Sequence, residues 1–397
     1  MSDLSVGARH AVPINWFREH LINDILSRWL AYAQTENGLF FPHFGRNWER
    51  LNKDICTLVS QARLLYNFSV GYRLTGQAEY LEAVNHGADA LLRYFRDSER
   101  GGWWYSCKLN GETLDSDKDL YGHAFVIFGL THAAMVTGRE DLKREALDTW
   151  EVVRSRFRDA HGGFAGRLTR SFGPAPHTPS QNPIMHLFEA LSALDALDDS
   201  GRVRQGGEEV AGFVLNRLIR KSDGILPELY DADWRELSAE DGGRIDIGHA
   251  FEWAYLLSRA AECNWPQHYL KPAERLLEYG LALGFDAADG GIISPVMPDG
   301  KAAFAVKGWW EQCEAIRALL HFAVVRGDAK AWEPLERVIA FARNHFVDEE
   351  HGGWFTRPPV AAGRGQAHFD KGSEWKVDYH VVGMCVEAIR LNSISNE

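Results

Sequence analysis

YLEAVNHGADALLRYFRDSERGGWWYSCKLNGETLDSDKDLYGHAFVIFGLTHAAMVTG, residues 80–138, holds two segments of helical length on either side of a glycine pair. In the first, Leu81, Val84, Ala88, Leu91 and Leu92 recur at helical spacing and leave the other face polar, which predicts a helix lying on a surface. The second, from Tyr121 to Gly138, is apolar on nearly every face, so it predicts a helix enclosed by others. One outer helix, one Gly-led extended segment and one inner helix make up the unit.

The same unit recurs. A glycine followed by an aromatic or aliphatic residue appears in ENGLFF at Gly38, RGGWWY at Gly102, HGGFAG at Gly163, SDGILP at Gly224, DGGIIS at Gly291 and HGGWFT at Gly353, at intervals of 64, 61, 61, 67 and 62 residues. A fixed period of this kind is the signature of a repeat architecture. Six outer and six inner helices predict an all-α (α/α)6 barrel forming a single domain over residues 1–397, because no Pro/Ser/Gly linker divides the chain. The loops at 172–183 and 356–366 fall inside repeats and read as the rim of a pocket.

Composition narrows the function. The 397 residues are 45% hydrophobic and 25% charged, and the net charge is −12 with no dense Lys/Arg run, which argues against a nucleic-acid or anionic-membrane partner. No apolar run reaches the eighteen or so residues of a membrane span, and no secretory signal is seen, so a cytoplasmic location is expected. Cys56, Cys107, Cys263, Cys313 and Cys385 lack any CxxC spacing and are expected to be reduced and buried, without a disulfide framework or zinc site. No GxGxxG, GxxxxGK[ST] or GxSxG motif occurs.

Aligning the apolar runs of the inner helices puts Arg63, His123, His186, His249, the Trp309/Trp310 pair and His380 at their heads. From Arg63 to His249 the steps are 60, 63 and 63 residues, so these side chains are expected to converge at one end of the barrel axis as a polar pocket. His249 and Glu252 are three apart, as are His186 and Glu189, and so share a helical face. HExxH is absent and the di-iron ExxH motif runs the other way, so no metal is expected. Glu252 is left to orient an imidazole or accept a sugar hydroxyl, and Trp310 to stack on a pyranose face or to belong to the core.

The stretches SQARLLYNFS (60–69), NPIMHLFEAL (182–191), IGHAFEWAYLL (247–257), KGWWEQCEAIRALL (307–320) and KVDYHVVGMCVEAIR (376–390) together resemble the N-acylglucosamine 2-epimerase superfamily, which includes cellobiose 2-epimerases, mannose isomerases and sulfoquinovose isomerases. That resemblance implies the same barrel, no cofactor, and His249 and His380 as the acid/base pair. It also implies that Arg63, His186 and Glu252 hold the substrate, with Tyr121, Asn182 and Trp310 around it. The sulfoquinovose branch carries an Arg about ten positions before the GH of this helix, where this chain reads SAEDGG; its nearest is Arg244.

The expected partner is a small-molecule sugar, and an exposed helical face leaves room for a homodimer. The expected reaction is metal-independent proton transfer at C1/C2 of an aldose through an enediol, favoured as mannose–fructose isomerisation. The alternatives are a 2-epimerase of N-acylglucosamine/N-acylmannosamine or cellobiose-type sugars, an inverting glycosidase using Glu189 and Glu252, and a non-catalytic sugar-binding protein.

Overall fold

The computed structural model describes residues 14–297, 306–357 and 368–394. Its inner helices are α3 (Leu58–Thr75), α5 (Leu120–Thr137), α7 (Gln181–Leu194), α9 (Ile247–Glu262), α11 (Trp309–Val325) and α13 (Tyr379–Ile394). The outer layer is α1 (Ile14–His20) and α2 (Ser27–Ala33) joined by a π-helical stretch at Leu21–Leu26, then α4 (Ala78–Tyr94), α6 (Glu140–Arg156), α8 (Arg202–Phe213), α10 (Leu270–Gly284) and α12 (Trp332–His345). Successive inner helices pack on one another, α13 packs on α3 to close the ring, and each of α4 to α12 in the outer layer packs on the inner helix before it. This is the (α/α)6 barrel expected from the repeat.

Burial follows the two kinds of helix. Along α5 the apolar positions from Leu120 to Ala134 are enclosed apart from the half-buried Tyr121, and only Met135 near its end is exposed, whereas α4 buries Tyr80, Ala83, Val84, Gly87, Ala88 and Leu91 and leaves Leu81 and Leu92 half-buried, a stripe rotated slightly from the expected one. Helix α5 also corrects the expectation that no segment is long and apolar enough to cross a membrane: its 18 residues pass by length and composition, and 72% of them are buried inside the barrel. Gly129 lets α5 approach α3 so closely that a Cβ there would lie 2.6 Å from the Ala62 carbonyl oxygen.

Connections from inner to outer helices are short; α3 and α5 each end on a glycine in the left-handed region, Gly76 and Gly138, both at φ +69°. Those from outer to inner helices are long and hold the Gly-led hairpins and two small antiparallel sheets. β1 (Cys56–Thr57), β2 (Ser106–Cys107) and β3 (Thr113–Asp115) form one, and β4 (Lys118–Asp119) with β5 (Arg167–Leu168) the other. Cys56 stands directly opposite Cys107 in the ladder, and Cys263 is exposed, which corrects the expectation that all five cysteines are buried.

Three hairpins share one brace. Asp97, Asp286 and Asp348 each accept backbone N–H groups two and three residues on, and each takes a lysine: Lys118 at 2.8 Å, Lys307 at 2.7 Å and Lys371 at 2.7 Å. Because these long connections all run at the N-terminal ends of the inner helices, that end of the barrel carries the variable loops and the pocket. The rim loop 356–366 lies outside the described residues except at Thr356 and Arg357.

Candidate active site

A cavity of about 410 Å³ opens at that end. Of the residues singled out in the sequence, Arg63, Tyr121, Asn182, His186, Arg244, His249, Trp309, Trp310 and His380 line it, together with Glu228, Asp246, Thr356, Ser373, Trp375 and Lys376. The inner helices supply them at two levels. Tyr121, Asn182, Trp310 and His380 stand at the second residue of their helices, and Arg63 and His186 stand at the sixth, one turn deeper on the same face.

His123 is not among them. It is the fourth residue of α5, and two residues of phase turn it about 200° from the axis-facing position of Phe125. Its Nε2 accepts from the Trp103 N–H at 3.1 Å and its Nδ1 contacts the Asp119 carbonyl at 2.7 Å, so it clamps the Gly102 hairpin. Gln61 and Gln312 hold the same place in α3 and α11, each bonding both backbone groups of a hairpin residue, Phe40 and Ile292. The 60-residue step from Arg63 therefore aligned a clamp with a pocket residue.

Glu252 also departs from the expected contact. It does not line the cavity and makes no hydrogen bond to His249; it sits behind the wall, 3.9 Å from His186 Nδ1, with no exposed surface and neither carboxylate oxygen hydrogen-bonded. Burial, with Glu314 and Glu189 nearby, holds its acid well above the usual carboxylate range. The matching pair does meet: His186 Nδ1 is 3.1 Å from Glu189, which also accepts from the Tyr379 hydroxyl.

Two imidazoles are held by carboxylates that the sequence did not offer for the role. His249 Nδ1 lies 2.7 Å from Glu228, itself fixed by Ser180 and Gln181. His380 Nδ1 lies 2.7 Å from Glu314. Trp310 contacts both rings, its centroid 4.9 Å from that of His249 and 5.5 Å from that of His380.

Their electrostatics are opposite. Burial works against a charge on His249, yet Glu228 and Asp246 raise it to about 10. His380 is held well below 6.5 by burial and by the guanidinium groups of Arg63 and Arg317. His186 is lowered to about 4, mainly by burial. At neutral pH the wall therefore presents an imidazolium at His249 and a neutral imidazole at His380.

Arg63 donates to the Tyr121 hydroxyl at 2.6 Å and to the Trp375 carbonyl at 2.8 Å, and its guanidinium stacks 4.2 Å from the Phe125 ring centre. Glu228/Asp246/His249, His186/Glu189/Glu252 and Glu252/Glu314/His380 each bring three donor atoms within 4.8 Å of one another, close enough to hold a cation. In each set an imidazole Nδ1 is already hydrogen-bonded to a carboxylate.

The family model for N-acylglucosamine 2-epimerase matches residues 39–384, which takes in five inner helices, the first turns of α13 and every wall residue named above. The chain belongs to the N-acylglucosamine 2-epimerase family. Its relatives include a cellobiose 2-epimerase of Bacteroides fragilis, 25% identical over 94% of this chain and 97% of that one. A D-mannose isomerase of Marinomonas mediterranea is 27% identical over 94% and 96%. The structure of the cellobiose 2-epimerase from Spirochaeta thermophila superimposes with a TM-score of 0.87 at 25% identity, covering 97% of both chains. This member of the family is accordingly a sugar isomerase or epimerase.

Proposed function

We propose that the protein interconverts mannose and fructose by metal-independent proton transfer between C1 and C2, with His380 as base and His249 as acid. The observation that carries this reading is the pair of imidazoles beside Trp310, each fixed through Nδ1 by a carboxylate, with His249 protonated and His380 neutral at neutral pH. With Nδ1–H donated to Glu314, Nε2 of His380 keeps a lone pair for the C2 proton. The C2–H electrons form the C1=C2 bond, and the carbonyl electrons pass to O1, which takes a proton from His249. His249 then recovers the O2 proton, C2=O2 forms, and His380 returns its proton to C1. Arg63, a permanent cation in the cavity wall, stabilises the negative charge that develops on oxygen. The choice of mannose rests on the likeness to D-mannose isomerases.

A second reading, 2-epimerisation, is favoured by the same two imidazoles: a base on one face of C2 and a proton donor on the other would invert that carbon. NMR in D2O with EDTA, offering mannose, glucose, N-acetylmannosamine and cellobiose in turn, separates the two. Fructose from mannose, with label at C1 or internal C2-to-C1 transfer, supports the isomerase. An inverted aldose labelled at C2 replaces it with the epimerase, and loss of activity in EDTA restored by a divalent cation removes metal independence. Saturable sugar binding without exchange in any tube leaves a binding protein. His249→Ala and His380→Ala are each expected to lower kcat by about 10²- to 10⁴-fold with an unchanged circular-dichroism spectrum.

A further inference from the structure

A second cavity, of about 460 Å³, opens among the C-terminal halves of the inner helices, at the end of the barrel away from the sugar pocket. Its wall includes the rings of Tyr66, Phe128, His132, Tyr255 and Trp265 among aliphatic and charged side chains. The charges set among them are four arginines, Arg73, Arg259, Arg317 and Arg390, against two carboxylates, Glu189 and Glu387. Arg259 and Arg390 are engaged with Glu262 and Glu387. The other two are not so fully engaged. Arg73 is exposed and makes no ion pair or hydrogen bond with any described residue. Arg317 is 8% exposed and its Nε–H has no acceptor. Its ion-pair contacts, 3.5 Å to Glu314 and 3.6 Å to Glu189, are long, and the guanidinium rests 4.0 Å from the Tyr255 ring centre.

A buried guanidinium N–H without an acceptor is costly, and it is found here in the wall of a cavity that also holds several aromatic rings and Arg73, which has no ion pair among the described residues. We propose that this cavity is a binding site for a small organic acid with a flat apolar body, an arene carboxylate, whose ring stacks among the aromatic side chains and whose carboxylate is taken by Arg73 and Arg317. The rings supply the apolar contact and the guanidinium groups the charge-assisted hydrogen bonds. The volume falls within the range of small-ligand sites. This inference stands on the second cavity alone and assumes nothing about the reaction at the other end.

Cys263 provides the reporter, since it is exposed and lines the same cavity. Benzoate is titrated into the full-length protein by calorimetry, with benzamide and inorganic phosphate as separate probes, and the rate of Cys263 alkylation by iodoacetamide is followed by mass spectrometry. The expected result is saturable 1:1 binding of benzoate, at least about tenfold weaker binding of benzamide, and several-fold slower alkylation of Cys263 at saturating benzoate. Arg73→Met, at an exposed position, is expected to weaken benzoate about tenfold without moving the thermal midpoint. Equal affinity for benzoate and benzamide, phosphate binding where benzoate does not, unaltered alkylation of Cys263, or full affinity in Arg73→Met would each overturn the assignment.

Discussion

At the scale of single residues, the two imidazoles that read alike in the sequence are made different by their partners. His249 faces Glu228 and Asp246 and is held protonated to about 10, while His380, hydrogen-bonded to Glu314, is kept neutral by burial and by the guanidinium groups of Arg63 and Arg317. Replacing Glu228 by Gln removes the charge while keeping a hydrogen-bonding amide, so the alkaline limb of kcat/KM is expected to move down from near 10 toward 6.5. A pH–rate profile with the limb in the same place would show that Glu228 does not hold the proton on His249. His249 and His380 were legible as pocket residues because they stand at the heads of repeated apolar helices, and as a pair only through the family resemblance; Glu228 was not, because it lies in the irregular segment LPELY, where no period marks a carboxylate as inward-facing. His123 misled for the opposite reason, since its type matched the set and only its helical phase did not. His123→Ala is expected to destabilise the fold by about 1–3 kcal/mol, by leaving the buried Trp103 N–H without its acceptor, and to leave kcat close to wild type. Thermal melts and kinetics on the same sample test both halves; a large loss of kcat with an unchanged melt would place His123 in the chemistry.

Elements were the most legible level, because each inner helix is apolar on most faces and each outer helix on one. The glycine hairpins were visible as sequence marks, but their purpose was not. Gln61, His123 and Gln312 reach back from the fourth residue of an inner helix to tie down the hairpin, and this polar contact leaves no trace in a hydrophobic pattern. How closely two inner helices approach was equally hidden. At Gly129 a methyl group would lie 2.6 Å from the Ala62 carbonyl oxygen, and backbone cannot swing aside as a side chain does. Gly129→Ala is therefore expected to force α3 and α5 apart and cost about 1–3 kcal/mol, in spite of the better helix propensity of alanine. Denaturant unfolding gives the sign directly: a variant as stable as wild type, or more so, would mean that the two helices have slack at this crossing.

For the whole molecule, buried carboxyl groups with raised values gather at the site end of the barrel. Burial, together with Asp246, raises Glu311 to about 8, and burial with Glu189 raises Glu314 to about 7 against the opposing pull of Arg317. A group whose folded value lies above its unfolded value contributes stability that is fully present below the unfolded value and lost as pH rises through the folded one. For Glu311 that window runs from about 4.5 to about 8. The site end is therefore expected to weaken progressively as the solution becomes alkaline, while the braced hairpins, whose Asp97 and Asp348 are held below the usual carboxylate range, weaken only in acid. Glu311 is nearly fully buried and its Oε2 has no hydrogen-bond partner, so ionising it places an unpaired charge inside the barrel. Glu311→Gln keeps the shape and removes that ionisation. It is expected to raise the thermal midpoint at pH 8.5, where the wild-type carboxyl must either ionise or stay protonated at a cost, and to change it little at about pH 3.5, below the unfolded value, where the group is neutral in both states. Melting curves of the two proteins across that range decide the matter: midpoints that differ equally at both pH values would trace the effect to packing instead of charge, and a higher midpoint confined to alkaline solution would tie the strain to the end of the barrel where the proton-transfer groups are gathered.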